Sequence, residues 1–237
     1  MNSNTAQCKT EQELLERYAA IAYDKQTDFS GVIGTNNWNI DMKLGTISFG
    51  EGLEFPIQVL GTISYSSQTW LWAWANTESG LSENIIQQAL ALKKYGEENE
   101  IDLLKNASFN FSKEELHIVG MIASGMFGSS GYYIADYGQG ALVVTIKSDR
   151  IDAVQAENHL RILTVFPYII SIYEMNHKHA LINYLTAKEY VIVTEGNSLT
   201  ATKNGQTIQA GFNESSNLIS LNGDAHGCSN AVSLKNN

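Results

Sequence analysis

The chain has 237 residues, of which 43% are hydrophobic and 17% charged, and it carries a net charge of −10. That is enough chain to bury a substantial core, and too apolar a chain for disorder. Only 15 Lys and Arg are spread along it, so no clustered cationic surface is expected, and nucleic-acid and anionic-membrane binding are excluded on that ground.

Residues 1–10 read as a polar N-terminal tail. From Glu11 to Lys25, Leu14, Leu15, Tyr18, Ile21 and Ala22 recur at helical spacing. The period then changes to two: Trp38, Ile40 and Met42 alternate with polar residues, and a two-residue turn at Leu44-Gly45 would set Met42 opposite Ile47 and Ile40 opposite Phe49. A second alternating run, Phe55 to Tyr65, leads through Ser66-Ser67 into Thr69-Trp-Leu-Trp-Ala-Trp-Ala-Asn76. A helix is predicted over Ser82 to Tyr95. Ser112-Lys113-Glu114-Glu115 matches a capping box for another helix, ending near Met126 before Gly128-Ser-Ser-Gly131. Tyr132 to Ala135 and Ala141 to Lys147 read as strands. Ala153 to Phe166 reads as a helix that Pro167 interrupts or restarts, and Asn176 to Ala187 as a further helix. Residues 191–222 form a β-meander whose clearest turn, Asn204-Gly205, pairs Ala201 with Ile208 and Leu199 with Ala210. Residues 223–237 read as a polar C-terminal tail. The expected fold is α+β, one domain over residues 11–222: an antiparallel sheet built from hairpins, flanking helices and the meander at its end.

The tryptophan segment raises the main functional question. Strand alternation puts Trp70, Trp72 and Trp74 on one face, in a row about 13 Å long, and a two-residue connection sets Gly61 opposite Trp72. Leu71, Ala73 and Ala75 make the other face small and apolar, which suits a central, doubly covered strand. Two readings stay open: a tryptophan-rich core, or a stacking platform at the floor of a pocket, with Trp70, Trp72, Trp74, Gly61 and Asn76 as its candidate ligand-binding residues. Buried indole N–H groups would need partners such as Gln58, Thr62 or Asn76.

Taken with the Tyr95-to-Ile101, Leu160-to-Pro167, Asn176-to-Leu185 and Asn204-to-Leu221 segments, this motif resembles a bacterial family of uncharacterised domains marked by the same Trp-rich run. The resemblance implies a coherent domain over nearly the whole chain and carries no activity. In its closing segment Phe212-Asn213 and Asn217-Leu218 depart from the family's acidic and basic positions.

Known chemistries find little footing. Gly138 to Val143 lacks the third glycine of a dinucleotide loop, and Gly128 to Gly131 follows a helix where a nucleophile elbow needs a strand. His117 and His159 read as ordinary helical histidines. His177 and His179 are two apart on a helix start and unsuited to a metal pair, and His226 with Cys228 lacks a second ligand pair. No metal and no cofactor is expected, and no catalytic residue is identified. Asp136, near Tyr132, Tyr133 and Tyr137, is the most pocket-like polar cluster, though a surface hairpin tip is the simpler account. The N-terminus has no apolar leader, Ile162 to Ile172 is too short to span a bilayer, and Cys8 and Cys228 read as reduced, so a cytoplasmic location is expected. The composition suits a non-enzymatic binding or interaction protein, of an immunity- or defence-associated kind, with a basic protein or a small molecule as partner. The alternatives are a small hydrolase using a carboxylate with His117 or His159 beside a Trp-lined pocket, and a small-molecule sensor.

Overall fold

The computed structural model describes residues 7–154, 158–225 and 228–233. The protein is α+β, with antiparallel sheets built from hairpins and helices beside them. Where the sequence pattern leads to one domain over residues 11–222, the chain divides into two compact units: Met1–Leu14 with Lys25–Gln155, and Leu15–Asp24 with Ala156–Asn237. Helix α1 (Glu11–Ile33) contributes residues to both. Its start is fixed by Thr10, whose side-chain oxygen accepts the Glu13 N–H at 3.1 Å. It continues past the expected end at Lys25 because Phe29 and Ile33 prolong the buried stripe, and Gly34 at φ 57° ends it.

In the first unit, β1 (Trp38–Asp41) pairs with β2 (Thr46–Phe49) so that Ile40 faces Ile47 and Trp38 faces Phe49. The connection is four residues, not two. The Asp41 carboxylate accepts the N–H groups of Lys43 and Leu44 at 2.8 and 2.9 Å, and Gly45 (φ 69°) closes onto the Asp41 carbonyl. Parity is kept, so Ile47 and Phe49 stay buried, while Met42 moves into the exposed turn.

Strand β3 (Glu54–Ser64) is the hub of this sheet. It pairs with β2 through its first residues, with β4 (Thr69–Trp72) through its last, and with β7 (Gly140–Ile146) along its other side, where a bulge falls at Leu60. Short β5 (Ser108–Asn110) pairs with β4. The tryptophan strand is therefore next to a three-residue edge and is not the centre. Strands β3 and β7 pair along the middle of the sheet: every residue of β7 is buried, and β3 is buried at Phe55, Ile57, Val59, Leu60, Gly61 and Ile63.

Helices α2 (Gln87–Asn99), α3 (Asp102–Lys105) and α4 (Leu116–Met126) belong to the same unit, as do β6 (Gly131–Asp136), which pairs with β7, and α5 (Asp149–Asp152). The expected capping box forms: the Ser112 N–H donates to the Glu115 carboxylate at 2.6 Å, and the Glu115 N–H to the Ser112 hydroxyl at 3.3 Å. The free side of β6 is covered at Tyr132 by one side chain. The Gln26 amide donates to the Tyr132 carbonyl at 2.9 Å and accepts its N–H at 3.1 Å, standing in for a neighbouring strand.

In the second unit, a 3₁₀ turn at His159–Arg161 runs into α6 (Ile162–Ile172). Pro167 lies inside this helix and does not interrupt it. Burial of Ile162, Leu163, Val165, Phe166 and Ile169 offsets the missing hydrogen bond, a cost of about 3 kcal/mol. Asn176 caps α7 (His177–Ala187), accepting the His179 N–H at 2.9 Å. Asp24, only 3% exposed, accepts from Arg161 at 3.1 Å, from the Tyr184 hydroxyl at 2.8 Å and from Lys188 at 2.5 Å.

The meander follows as β8 (Val191–Glu195), β9 (Ser198–Lys203), β10 (Gln206–Phe212), β11 (Leu218–Ala225) and β12 (Cys228–Ser233), each paired with the next. Asn204 (φ 51°) and Gly205 (φ 76°) form the expected type I′ turn, and Ala201 faces Ile208 and Leu199 faces Ala210 as the turn requires. The segment after Gly223 is not only a polar tail. It completes β11 and supplies β12, because a ladder joins backbones whatever the hydropathy of the side chains.

Candidate functional site

The three indoles do not make a row. Trp70 and Trp72 are fully buried, 0% exposed, and meet edge to face with ring centroids 5.4 Å apart. The strand stops at Trp72, and a 3₁₀ turn over Ala73–Ala75 carries Trp74 out of the alternation. The turn closes through the Asn76 N–H, bonded to the carbonyls of Trp72 and Ala73, and the half-buried Asn76 returns its own carbonyl to Ser79. Trp74 is half-buried with the Lys93 ammonium 4.6 Å from its ring centroid.

Gly61 pairs with Trp72 as the register predicts, but the space it leaves is filled from the diagonal. A Cβ there would lie 2.5 Å from Trp70 Cζ2 and 2.5 Å from the Leu71 carbonyl oxygen. The Trp72 indole donates to the Leu103 carbonyl at 3.0 Å, and Gln58, one expected partner, instead bonds Asn84 and Gln88. Among the described residues no open platform is built from Trp70 and Trp72.

The other candidates are likewise separate. The Asp136 carboxylate accepts Lys113 at 2.5 Å and the Gly138 N–H at 2.8 Å, and these bonds hold its pKa down at about 2, a hairpin-tip arrangement. His117 shares a 2.8 Å hydrogen bond with the Tyr132 hydroxyl, and His159 one of the same length with Tyr190. His117 and His159 lie in different units, each hydrogen-bonded to a tyrosine, with the Glu114 carboxylate in electrostatic reach of His117 and the Asp224 carboxylate in reach of His159. No group of three or more His, Cys, Asp and Glu among the described residues is arranged to hold a metal ion. His226 lies outside the described residues.

His177 has a defined task. Its Nδ1 accepts the Leu218 N–H at 3.0 Å, which requires the neutral ring, and burial pushes its pKa below the usual 6.5. His159 is pushed the same way by burial. The unfolded chain therefore binds more protons below that value, and stability of the second unit falls as pH drops through it. The midpoint of thermal unfolding, followed by far-UV circular dichroism, should be lower at about pH 5.5 than at about pH 7.5. His177→Gln, whose carbonyl oxygen accepts without titrating, should flatten that dependence; an unchanged slope would disprove the assignment.

The most distinctive surface lies on the meander, where sequence reading placed no site. Strand parity sorts its residues into rows. Ala201, Ile208, Leu199, Ala210 and Leu221 face inward and are buried. Outward, one row reads Val191, Thr202, Thr207 and Asp224; the next reads Val193, Thr200, Gln209 and Asn222; the third reads Glu195, Ser198, Gly211 and Ser220. Val191 is 69% exposed, Val193 55% and Ile219, at the β11 bulge, 46%. Small polar side chains fill the space between them, and Asp224 and Glu195 are the charges in these rows, with no Lys or Arg. Thr207, Gln209, Asn222, Gly223 and Asp224 enclose a hollow of about 90 Å³. The Thr207 N–H donates to Asp224 Oδ1 at 2.8 Å. Sequence alternation hinted at this face through Val191 and Val193, but only the strand order showed it uncovered.

These features define an α+β protein with a hairpin-built sheet in one unit and, in the other, a meander presenting a polar, acidic outer face. The chain belongs to a family of unknown function, DUF6882, whose model matches residues 12–149. The match ends before β8, so the meander lies beyond it. No curated protein and no solved structure matches the chain. No helix among the described residues is long and apolar enough to cross a membrane.

Proposed function

We propose that this protein is a binding protein that recognises a basic protein partner through the outer face of the meander. The observation that carries this reading is the face itself: exposed Val191, Val193 and Ile219 beside two carboxylates, with no cation in the three rows. The half-open hollow at Asp224 is small, about 90 Å³, with room for a few waters or the tip of one side chain. Drug-sized ligands need several hundred cubic ångströms, roughly 300 or more, which favours a protein side chain over a free small molecule. A Lys or Arg tip suits the Asp224 carboxylate, and the chain's charge of −10 would speed encounter with a basic surface. An immunity- or defence-associated role is compatible with such a partner.

The test compares wild-type protein with the double variant Glu195→Lys, Asp224→Lys as bait in a lysate of the native cell at low salt. A basic protein should be retained by the wild type, released by raised salt and lost with the charge-reversed bait. Retention of the same protein by the variant would sink the reading.

A further inference from the structure

Strand β8 is the edge of the five-stranded sheet, and its pairing leaves one side open. The hairpin to β9 turns through two residues, Gly196 and Asn197, and closes on the pair Glu195–Ser198. In such a hairpin the closing pair exchanges both backbone hydrogen bonds, and every second pair does the same. Glu195, Val193 and Val191 thus bond to β9. Ile192 and Thr194 aim their N–H and C=O groups the other way, and neither N–H has a partner among the described residues.

Sheet edges in folded proteins are usually blunted by Pro, Lys, a bulge or a covering group. Val191-Ile-Val-Thr-Glu195 contains no Pro or Lys and pairs without a bulge. The contrast within this chain is direct, because the Gln26 amide occupies the edge of β6 at Tyr132.

We propose that β8 is a docking edge that takes an extended, basic segment of the partner as an added antiparallel strand. This rests on the reading of the outer face as a binding surface and specifies how it is used. The backbone of the added strand would pair with Ile192 and Thr194, completing four hydrogen bonds. Its outward side chains would lie opposite Val191, Val193 and Glu195. Charge complementarity selects the occupant. The β8 row ends in an exposed carboxylate at Glu195, and the same outer face carries Asp224; Glu189, just before the strand, is already paired with Lys203 at 3.7 Å and adds no free charge. The segment should therefore place apolar residues opposite the two valines and Lys or Arg opposite Glu195. A second copy of the chain would instead set Glu195 opposite Val191 and bring two bodies of charge −10 together.

The probe is a fluorescently labelled peptide containing Lys-Thr-Val-Thr-Val, its Lys placed to meet Glu195, titrated into the full-length protein by anisotropy. The decisive variant is Thr194→Pro. It removes an N–H that no ladder bond uses, on an edge where Pro is tolerated, and it leaves Val191, Val193 and Glu195 in place. Saturable binding is expected, with hydrogen exchange slowed at the Ile192 and Thr194 amides. Thr194→Pro should weaken binding at least about tenfold, and Glu195→Lys should weaken it and make it less salt-dependent. Equal binding by Thr194→Pro, with loss in the Glu195→Lys, Asp224→Lys variant, would overturn strand addition and leave the outer-face reading standing. No binding of the peptide, or protection of Ile192 and Thr194 without peptide that disappears on dilution, would also overturn it, the latter assigning the edge to a second copy.

Discussion

Trp72→Ala should destabilise the first unit by about 3–5 kcal/mol, the range for truncating a large buried aromatic where the surroundings relax only in part. Trp72 is fully buried, packs edge to face on Trp70 and donates to the Leu103 carbonyl, so truncation opens a cavity and strips a buried acceptor of its donor. Trp72→Phe keeps most of the volume and should cost less. All four tryptophans, Trp38, Trp70, Trp72 and Trp74, belong to the first unit, so indole emission during urea unfolding reports on that unit alone. A change in midpoint of only a few tenths of a kcal/mol equivalent would show that Trp72 is not core.

Asp24→Ala should be the most damaging change in the second unit, at about 3–5 kcal/mol, the cost of removing one partner from a buried charge cluster. Asp24 receives Arg161, Lys188 and the Tyr184 hydroxyl at once, and the side chains of Arg161 and Lys188 are themselves only 15% and 16% exposed. Removing the carboxylate leaves two partly buried cations without their common anion and a buried hydroxyl without its acceptor. Lys188→Met should cost less, since Asp24 keeps Arg161 and Tyr184. Indole emission cannot follow this unit, so the measurement is hydrogen exchange at amides of α6, α7 and the meander. Exchange no faster than in the wild type would show that the cluster contributes little.

Both residues show how unevenly a sequence reports its fold. The role of Asp24 is not legible in the sequence because its partners stand 137 to 164 positions away, and no periodicity links a carboxylate to cations so remote. The alternation of the Trp run holds through Trp72 and then fails. The failure came from a local turn at Ala73–Ala75 that the apolar pattern does not encode. Gly61 was identified through register, and its pairing with Trp72 is as expected, yet the ring that uses its space belongs to Trp70.

Features that depend only on neighbours along the chain can be read from the residues. The type I′ turn at Asn204-Gly205 needs two residues tolerant of positive φ, and their presence set the register of β9 on β10. The two reciprocal bonds expected of Ser112 and Glu115 span four residues and form, though they close a turn and α4 itself begins at Leu116. The α+β class followed from the alternation of periods two and 3.6 along the chain. Long-range packing set which strand became the hub, the division into two units, the place of Pro167 inside a helix, and which sheet edge is capped. Those outcomes depend on what lies across a strand or against a helix, and on burial summed over residues far apart in sequence. The free edge at Ile192 and Thr194 is of this kind. Nothing in Val191 to Glu195 separates an edge strand from a paired one until the neighbouring strands are in place.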